Sequence, residues 1–226
     1  MKILVTGTNK GFGLAICESL RSHNVDVISL NRSDRSECAS QNFFADFEDL
    51  SKLDEELVNI LAANPDIDAV FLNAGTLGPL RPTSAVGYEE MDRVIRVNFT
   101  ANKVIVDFLI EFSSTRVFLQ ISSGASEKIY EKWAAYGLSK MLLRRLFDYY
   151  RAENPDRQFV VVNPGPLETA MNSQIRRSEN LDVAWMSKFQ DPLILGSAQV
   201  MSERLVTLFL DGRLVSSGQL VDLREP

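Results

Sequence analysis

The hydrophobic pattern of the chain alternates between two kinds of segment. Short apolar runs rich in β-branched or aromatic residues are typical of strands that are covered on both faces. Longer segments in which apolar residues recur every three or four positions are typical of helices. The predicted strands are 2–6, 25–30, 69–73, 116–122 and 158–163, with a weaker one at 42–47 and a last one at 218–223. The predicted helices are 12–23, 50–63, 91–112, 136–152 and 197–210.

This alternation predicts an α/β fold, a doubly wound parallel sheet of about seven strands with helices on both faces. The 226 residues are enough for one domain and not clearly enough for two, so residues 1–226 are predicted to form a single domain. The segment 167–190 is polar and has no strong period. Its length as a connection indicates a lid over a binding site.

Composition and charge narrow the classes of function. Hydrophobic residues make up 45% of the chain and charged residues 24%, as in ordinary soluble domains. The net charge of −6 argues against a nucleic-acid partner or an anionic membrane surface. No apolar run approaches the ~18 residues of a membrane span, and the opening residues lack the layout of a signal peptide.

Metal and disulfide chemistry are not indicated by the sequence. A single histidine, His23, argues against a His-based metal site. The two cysteines, Cys17 and Cys38, lie far apart and lack metal-ligand spacing. They carry no readable function, and the sequence fits a reduced, cytoplasmic compartment.

A glycine-rich turn follows the first predicted strand, in the sequence TGTNKGFG from Thr6 to Gly13. Glycines at 7, 11 and 13 let the backbone turn tightly and lie close to a ligand. The helix after the turn offers unpaired N–H groups and the positive end of its dipole to a phosphate. The spacing differs from the commonest dinucleotide fingerprint, and a purely structural turn is the alternative.

The residues after the second predicted strand bear on which dinucleotide would bind. Strands of this kind end in Asp or Glu where NAD is bound through its ribose hydroxyl, and here Asn31 and Arg32 occupy that place. Lys10 lies in the glycine turn. Two cations suit a 2′-phosphate, so NADP(H) is predicted over NAD(H). Solvated surface charges are the alternative, and Asp34 nearby weakens the argument.

Tyr136 and Lys140 are four residues apart in a predicted helix, so they share one face. An ammonium next to a phenol favours the phenolate, and Lys140 is therefore expected to lower the pKa of Tyr136. The phenol could then act as a general acid towards a developing alkoxide. Two ordinary helix residues are the alternative for such a pair in isolation.

Further polar residues lie where predicted strands end. Ser122 and Ser123 follow one strand and Asn73 follows another, at the sheet edge where open α/β folds bind ligands. A serine hydroxyl there could donate a hydrogen bond to a carbonyl that is becoming an oxyanion. Asn98 lies inside a predicted helix, where asparagine is unfavourable, and its amide could order a water.

The combined motifs resemble the short-chain dehydrogenase/reductase family over nearly the whole chain. The matching segments are Thr6–Gly13, Asn73–Gly75, Asn98, Ser123, Tyr136–Lys140 and Asn163–Thr169. The resemblance implies a Rossmann fold, a nicotinamide cofactor and a catalytic tetrad of Asn98, Ser123, Tyr136 and Lys140. Two features depart from the pattern: the sequence FLNAG lacks the first Asn of the usual motif, and the helical parts are short.

The resemblance also implies that Asp46 and Phe47 flank the adenine and that the Pro164–Thr169 loop holds the nicotinamide end. The full set of expected cofactor contacts, with the residues above, is Gly7, Thr8, Asn9, Lys10, Gly11, Phe12, Gly13, Asn31, Arg32, Asp46, Phe47, Asn73, Ala74, Gly75, Tyr136, Lys140, Pro164, Gly165, Leu167 and Thr169.

A narrower resemblance, to sepiapterin reductase and the bacterial sepiapterin/benzil reductases, lies in NAGTLGPL, the segment around Tyr136 and the ending SSGQLVDLREP. It implies that Asp222 anchors the amino nitrogens of a pterin; an Asp that is paired with a local Arg or simply exposed near the chain end is the alternative. Trp133 could stack on an aromatic substrate or belong to the core. Met171 and Gln174, with Ile175, would belong to the lid, and Ser123 and Tyr136 would meet the carbonyl.

The expected activity is therefore an NADPH-dependent reductase of a small-molecule ketone. A non-enzymatic dinucleotide-binding or signalling protein of the same fold is the main alternative. A sugar-nucleotide dehydratase or epimerase would need a larger C-terminal part. The resemblance also suggests a homodimer built from the helices at 91–112 and 136–152, with a tetramer as the alternative.

Overall fold

One parallel sheet of seven strands organises the computed structural model, which describes residues 1–178 and 195–225. The strands are β1 (Lys2–Thr6), β2 (Asp26–Asn31), β3 (Gln41–Phe44), β4 (Ala69–Leu72), β5 (Val117–Ile121), β6 (Gln158–Asn163) and β7 (Leu220–Asp222). Their order across the sheet is β3-β2-β1-β4-β5-β6-β7. This arrangement confirms the predicted α/β fold.

Helices connect the strands. They are α1 (Gly11–Ser22), α2 (Leu50–Ala63), α3 (Tyr88–Ile95), α4 (Ala101–Phe112), α5 (Ala134–Glu153), α6 (Ala170–Arg176) and α7 (Ala198–Leu210). A π-helical turn, Arg96–Thr100, joins α3 to α4, and short 3₁₀ turns lie at Thr83–Ala85 and Gly124–Ser126. None of the helices in the described part of the chain combines the length and apolarity needed to cross a bilayer.

Two hydrophobic cores cover the two faces of the sheet, because neighbouring residues of a strand point to opposite faces. Ile3 and Val5 pack with α1 and α7, whereas Leu4 packs with α2, α4 and α5. Strands that are apolar on both faces therefore occupy the middle of the sheet. β1 lies between β2 and β4, so the chain reverses its direction of travel across the sheet there. The crevice outside the strand ends at such a point is where open α/β folds bind ligands.

The predicted helix at 91–112 differs from the structure. It is divided into α3, the π turn and α4, with Asn98 in the middle of the π turn. π turns inside α-helices are frequently found at functional sites. The predicted lid at 167–190 includes α6 at its start, whereas residues 179–190 lie outside the described residues.

The two cysteines form a disulfide, which the sequence did not indicate. Cys17 of α1 is bonded to Cys38 of the β2–β3 connection, and their Cα atoms are 5.9 Å apart. The separation of 21 positions in the sequence hid the pairing, because β2 brings the chain back along α1 only in the folded sheet. The expectation of reduced cysteines without a role is therefore corrected.

Candidate active site

A cleft of about 960 Å³ opens at the carboxyl ends of β1, β2, β4, β5 and β6. It is lined by almost all of the residues predicted to bind a cofactor or substrate. The two predicted residues that do not line it are Thr8 and Asn98, each fully buried behind its wall. Residues from distant parts of the sequence thus converge on one edge of the sheet.

Hydrogen bonds to the side chain of Asn31 hold the glycine turn between β1 and α1 in place. The backbone N–H of Thr8 donates to Asn31 Oδ1 at 2.8 Å, and Asn31 Nδ2 donates to Thr8 Oγ1 at 3.1 Å. Asn31 is 3% exposed. Its amide therefore shapes the turn, which is a different task from the direct contact with a ribose that its position suggested.

Glycine is required in this turn by close packing. A Cβ on Gly13 would overlap the carbonyl oxygen of Gly7 and the side-chain amide of Asn73. Gly7 has φ +73°, a left-handed conformation that favours glycine. Asn73 Nδ2 donates to the carbonyls of Thr6 at 3.1 Å and Gly7 at 3.0 Å, which ties the end of β4 to the turn.

These features fit a dinucleotide. α1 begins at Gly11 and receives no side-chain hydrogen bond from its N-cap residue Lys10, and residues 11–13 line the cleft. A Cβ on Gly11 would stand 3.5 Å from Thr169 Cγ2, so the turn lies next to the Pro164–Thr169 loop. The positive end of the helix dipole beside a turn of small residues suits a pyrophosphate.

Cations line the cleft beyond β2. Lys10 and Arg32, both predicted, are joined there by Arg35, which the sequence reasoning missed. All three are exposed. The connection that carries them is fixed to the turn, since Asn9 Nδ2 donates to the Asp34 carbonyl at 2.8 Å. The carboxylate of Asp34 lies on the same rim, where one carboxylate faces the two arginines Arg32 and Arg35.

Tyr136 and Lys140 lie on the first turns of α5, on the floor of the cleft. Tyr136 is 7% exposed and Lys140 5%. Lys140 Nζ lies 5.8 Å from the centroid of the Tyr136 ring and donates to the Ile121 carbonyl at 2.9 Å. The ammonium is therefore anchored to the end of β5, beside the phenol but not bonded to it.

Burial controls the acidity of both groups. It raises the pKa of Tyr136 to about 12, against the opposing effect of a hydrogen bond with the Ser123 side chain. Burial also lowers the pKa of Lys140 to about 8. The expectation that Lys140 holds the pKa of Tyr136 low is thus wrong for this structure, because desolvation by burial is the largest influence on the pKa of both groups. The phenol is protonated at neutral pH, which is the form that a proton donor needs.

Asn98 is a brace within the wall of the site. Its Oδ1 accepts from the Thr76 N–H at 2.8 Å. Its Nδ2 donates to the Thr76 carbonyl at 2.8 Å and to Ser139 Oγ at 2.9 Å. Both amide hydrogens are used inside the protein, so the expected role of ordering a water through the amide is corrected. Asn98 instead fixes the irregular segment after β4, at Thr76, to Ser139 of α5 next to Lys140.

An aromatic wall borders the cleft next to Tyr136. The Trp133 and Tyr136 rings meet edge to face at 5.8 Å, and Tyr130 meets Trp133 at 5.5 Å. Trp133 is 5% exposed and lies in a small core with Leu77, Leu80, Ala125 and Ile175. It therefore packs in a core and also lines the cleft, whereas its stacking on an aromatic substrate stays a prediction. Met171 packs against the same cluster, and Gln174 lines the cleft while exposed.

Asp222 ends β7 opposite this wall and is paired with Arg224. Arg224 Nε donates to Asp222 Oδ1 at 2.8 Å and Nη2 to Oδ2 at 2.5 Å. Asn163 Nδ2 also donates to Oδ2, at 3.0 Å. Arg224 holds the pKa of Asp222 below its usual range. Of the two alternatives for Asp222, the structure shows the pairing with a local arginine.

Among the cleft residues that the sequence did not single out, three carry chemistry that a ligand could use. Arg35 is three residues beyond Arg32, and Tyr130 and Arg224 lie inside segments that were matched to the reductases without being assigned a role themselves. A Cβ on Gly165 would stand 2.7 Å from Arg224 Cδ, so the arginine lies on the loop expected to hold the nicotinamide end. The Asp-x-Arg spacing at 222–224 was the signal that could have identified the pair.

Comparisons with known proteins agree with this arrangement. The family model described as short chain dehydrogenase matches residues 1–180. A benzil reductase ((S)-benzoin forming) of Bacillus subtilis is 24% identical, over 98% of both chains.

Solved structures share the fold. That of the KRED1-Pglu enzyme has a TM-score of 0.87 at 25% identity and covers 98% of this chain and 100% of its own. A short chain dehydrogenase of Shigella flexneri complexed with NADP has a TM-score of 0.82 at 22% identity, over 99% and 97% of the two chains.

Proposed function

The chain belongs to the short-chain dehydrogenase family, and from that premise we propose that this oxidoreductase is an NADPH-dependent carbonyl reductase that acts on a small-molecule ketone. The observation that carries the proposal is the arrangement of Ser123, Tyr136 and Lys140 on the floor of one cleft. A buried, protonated phenol next to a serine hydroxyl is suited to protonating a carbonyl oxygen.

In this proposal the glycine turn and the Pro164–Thr169 loop would hold NADPH, which would supply a hydride for the carbonyl carbon. The Tyr136 hydroxyl donates its proton to the carbonyl oxygen as negative charge develops there. Ser123 donates a hydrogen bond to the same oxygen and so orients the carbonyl. Lys140, held at the Ile121 carbonyl, stabilises the phenolate that remains on Tyr136.

The preference for NADPH is supported by the rim of the cleft. Lys10, Arg32 and Arg35 offer three cationic groups where a 2′-phosphate would lie. Arginine pairs with phosphate through parallel N–H donors, which a ribose hydroxyl cannot match. No carboxylate occupies the last position of β2, since Asn31 stands there and is bonded to the turn.

The substrate in this proposal is an aromatic ketone or diketone, with a pterin side-chain ketone as the related alternative. Tyr130 and Trp133 give the cleft an aromatic wall on which a planar ring could pack. The benzil reductase of Bacillus subtilis acts, by its name, on an aromatic diketone. Anchoring of a pterin by Asp222 would require it to share its carboxylate with Arg224.

The experiment is a substrate screen followed by NADPH absorbance, with benzil and sepiapterin as the first two ketones. We expect oxidation of NADPH that depends on enzyme and ketone, and slower oxidation of NADH. Binding of NADPH without turnover of any ketone in the panel would favour a non-catalytic dinucleotide-binding protein. The cytoplasmic location expected from the sequence stays a prediction, to be checked by fractionation of cells.

A further inference from the structure

The disulfide between Cys17 and Cys38 joins a fixed helix to the connection that carries the cations of the cleft. We propose that it is a reversible thiol-modification site, opened by a dithiol reductant, and that its state sets the affinity for the 2′-phosphate of NADPH. The proposal rests on the proposed function, because it assigns that phosphate to Arg32 and Arg35.

Cys17 is the fixed end of the bond. It is fully buried in α1, as are Ile16 and Leu20 on either side of it. These residues belong to the core that packs α1 against the sheet and α7. Opening the disulfide therefore leaves the position of α1 unchanged.

Cys38 is the end that can gain freedom. It lies in the β2–β3 connection, in which residues 32–35 and 37 are exposed. Arg32 and Arg35 both lie within six residues of Cys38 and both line the cleft. The bond thus fixes the outer end of the segment that would meet the phosphate.

Ser36 connects the bond to the glycine turn. Its hydroxyl lies 3.0 Å from Cys38 Sγ and donates to the Thr8 carbonyl at 3.3 Å. Its backbone N–H donates to Asn42 Oδ1 at 2.6 Å. The disulfide is therefore linked through Ser36 to the turn that the cofactor phosphates are expected to contact. A change in its redox state can alter the position of that turn.

The chemistry of opening follows from the exposure of the two sulfurs. Cys38 is partly exposed, whereas Cys17 is fully buried, so a thiolate of the reductant attacks Cys38 Sγ. The S–S bond breaks and Cys17 leaves as a thiolate, which takes up a proton. The second thiol of the reductant then attacks the mixed disulfide and releases Cys38. Two electrons pass from the dithiol, which becomes a disulfide, to the protein, which gains two thiols.

The consequence is a loss of preorganisation at the cation rim. The hydrogen bonds from Asn9 to Asp34 and from Ser36 to Thr8 remain, so the segment loosens without unfolding. NADPH must then order the segment when it binds, which weakens its affinity. NADH makes no use of the 2′-phosphate contacts, so its affinity changes little.

The experiment measures dissociation constants of NADPH and NADH by tryptophan fluorescence, for the full chain in its oxidised form and after dithiothreitol. Mass spectrometry of the alkylated protein counts the free thiols in each sample. We expect a threefold to tenfold weaker affinity for NADPH on reduction, with NADH changed by less than about twofold. The variant Cys38→Ser should bind like the reduced protein and ignore dithiothreitol, and Cys17→Ala provides a second variant.

Three results would overturn the proposal: air-oxidised protein with two free thiols, unchanged affinity for NADPH on reduction, or equal weakening for both cofactors. The last would mean that the bond supports dinucleotide binding in general and not the contact with the 2′-phosphate. Failure of oxidised and reduced protein to bind either dinucleotide would overturn the proposed function as well. Binding of both dinucleotides without a redox effect would leave the proposed function intact.

Discussion

At the scale of single residues, the buried pair of Tyr136 and Lys140 is the main feature of the site. The sequence places them on one helix face, and that much follows from helix geometry alone. Their pKa values do not follow from spacing, because they depend on how far α5 is buried against the end of β5. The structure shows burial raising the pKa of Tyr136 to about 12 and lowering that of Lys140 to about 8.

The depressed pKa of Lys140 predicts a pH dependence of stability. Between its folded pKa of about 8 and its unfolded value of 10.5, the unfolded chain binds the extra proton. The free energy of unfolding therefore rises with pH across this window, by up to about 3 kcal/mol from this group. Below a pH of about 8, Lys140 is charged in the folded protein, and its buried ammonium lowers the free energy of unfolding by the same amount.

Urea unfolding at about pH 8 and about pH 10 tests this sign. The wild-type protein should gain stability relative to Lys140→Met as the pH rises, because the variant has no ammonium to deprotonate. A parallel pH dependence in the two proteins would show that Lys140 keeps an ordinary pKa in the fold.

The two arginines on the rim of the cleft are expected to determine the preference for NADPH over NADH. Arg32→Ala and Arg35→Ala should each raise the KM for NADPH by roughly 10- to 150-fold, since each removes a charge-assisted contact of ~1.5–3 kcal/mol. The KM for NADH should change by less than about twofold. Lys128→Ala is the matched control, because Lys128 is a cation of the same cleft on its substrate side. Equal losses with both cofactors would place the 2′-phosphate elsewhere.

At the scale of secondary-structure elements, the sequence predicted the positions of the strands well. It did not predict the π turn or the contacts that form only in the folded protein. β1, β2, β4, β5 and β6 lie within about two residues of their predicted ranges, because apolar runs with β-branched residues are a local signal. The π turn at Arg96–Thr100 was missed, since a single extra residue in a helix leaves no periodic trace. The disulfide and the contact of Arg224 with the loop at Gly165 depend on tertiary proximity, which no local pattern reports.

The hydrogen bonds of Asn98 in the π turn predict that replacing this residue destabilises the fold. Replacing it with Ala would leave the N–H and carbonyl of Thr76 without their buried partner. Each unsatisfied buried group costs ~1–3 kcal/mol, so Asn98→Ala should lower the free energy of unfolding by about 2–4 kcal/mol. Asn59→Ala, on the exposed face of α2, should change it by less than about 0.5 kcal/mol. Similar values for both variants in urea unfolding would refute the bracing role.

At the scale of the whole molecule, α5 carries an apolar stripe that the sheet does not cover. Leu138, Met141, Leu142 and Tyr149 are each at least 38% exposed, and Phe112 at the end of α4 is 60% exposed. Their spacing places the α5 residues on one side of the helix. Exposed apolar patches of this kind mark protein–protein interfaces, which supports the proposed homodimer through α4 and α5.

Light scattering tests this assembly. The wild-type protein should have about twice the 25.4 kDa mass of one chain. The double variant Met141→Glu with Leu142→Glu should be monomeric, because it places two carboxylates in the interface. Val58→Glu, at an exposed valine of α2, should leave the mass unchanged. A monomeric wild-type protein would exclude the dimer, and a mass of four chains would favour the tetramer.

A comparison of wild type and Tyr136→Phe in the reduction of benzil by NADPH tests the role of the phenol directly. We expect the variant to lose ~10²–10⁴-fold in kcat, because the only change is the hydroxyl that donates the proton. The dissociation constant of NADPH, measured by fluorescence, should stay within about twofold of the wild-type value. Turnover by the variant at close to the wild-type rate would contradict the central claim that Tyr136 is the acid of this site.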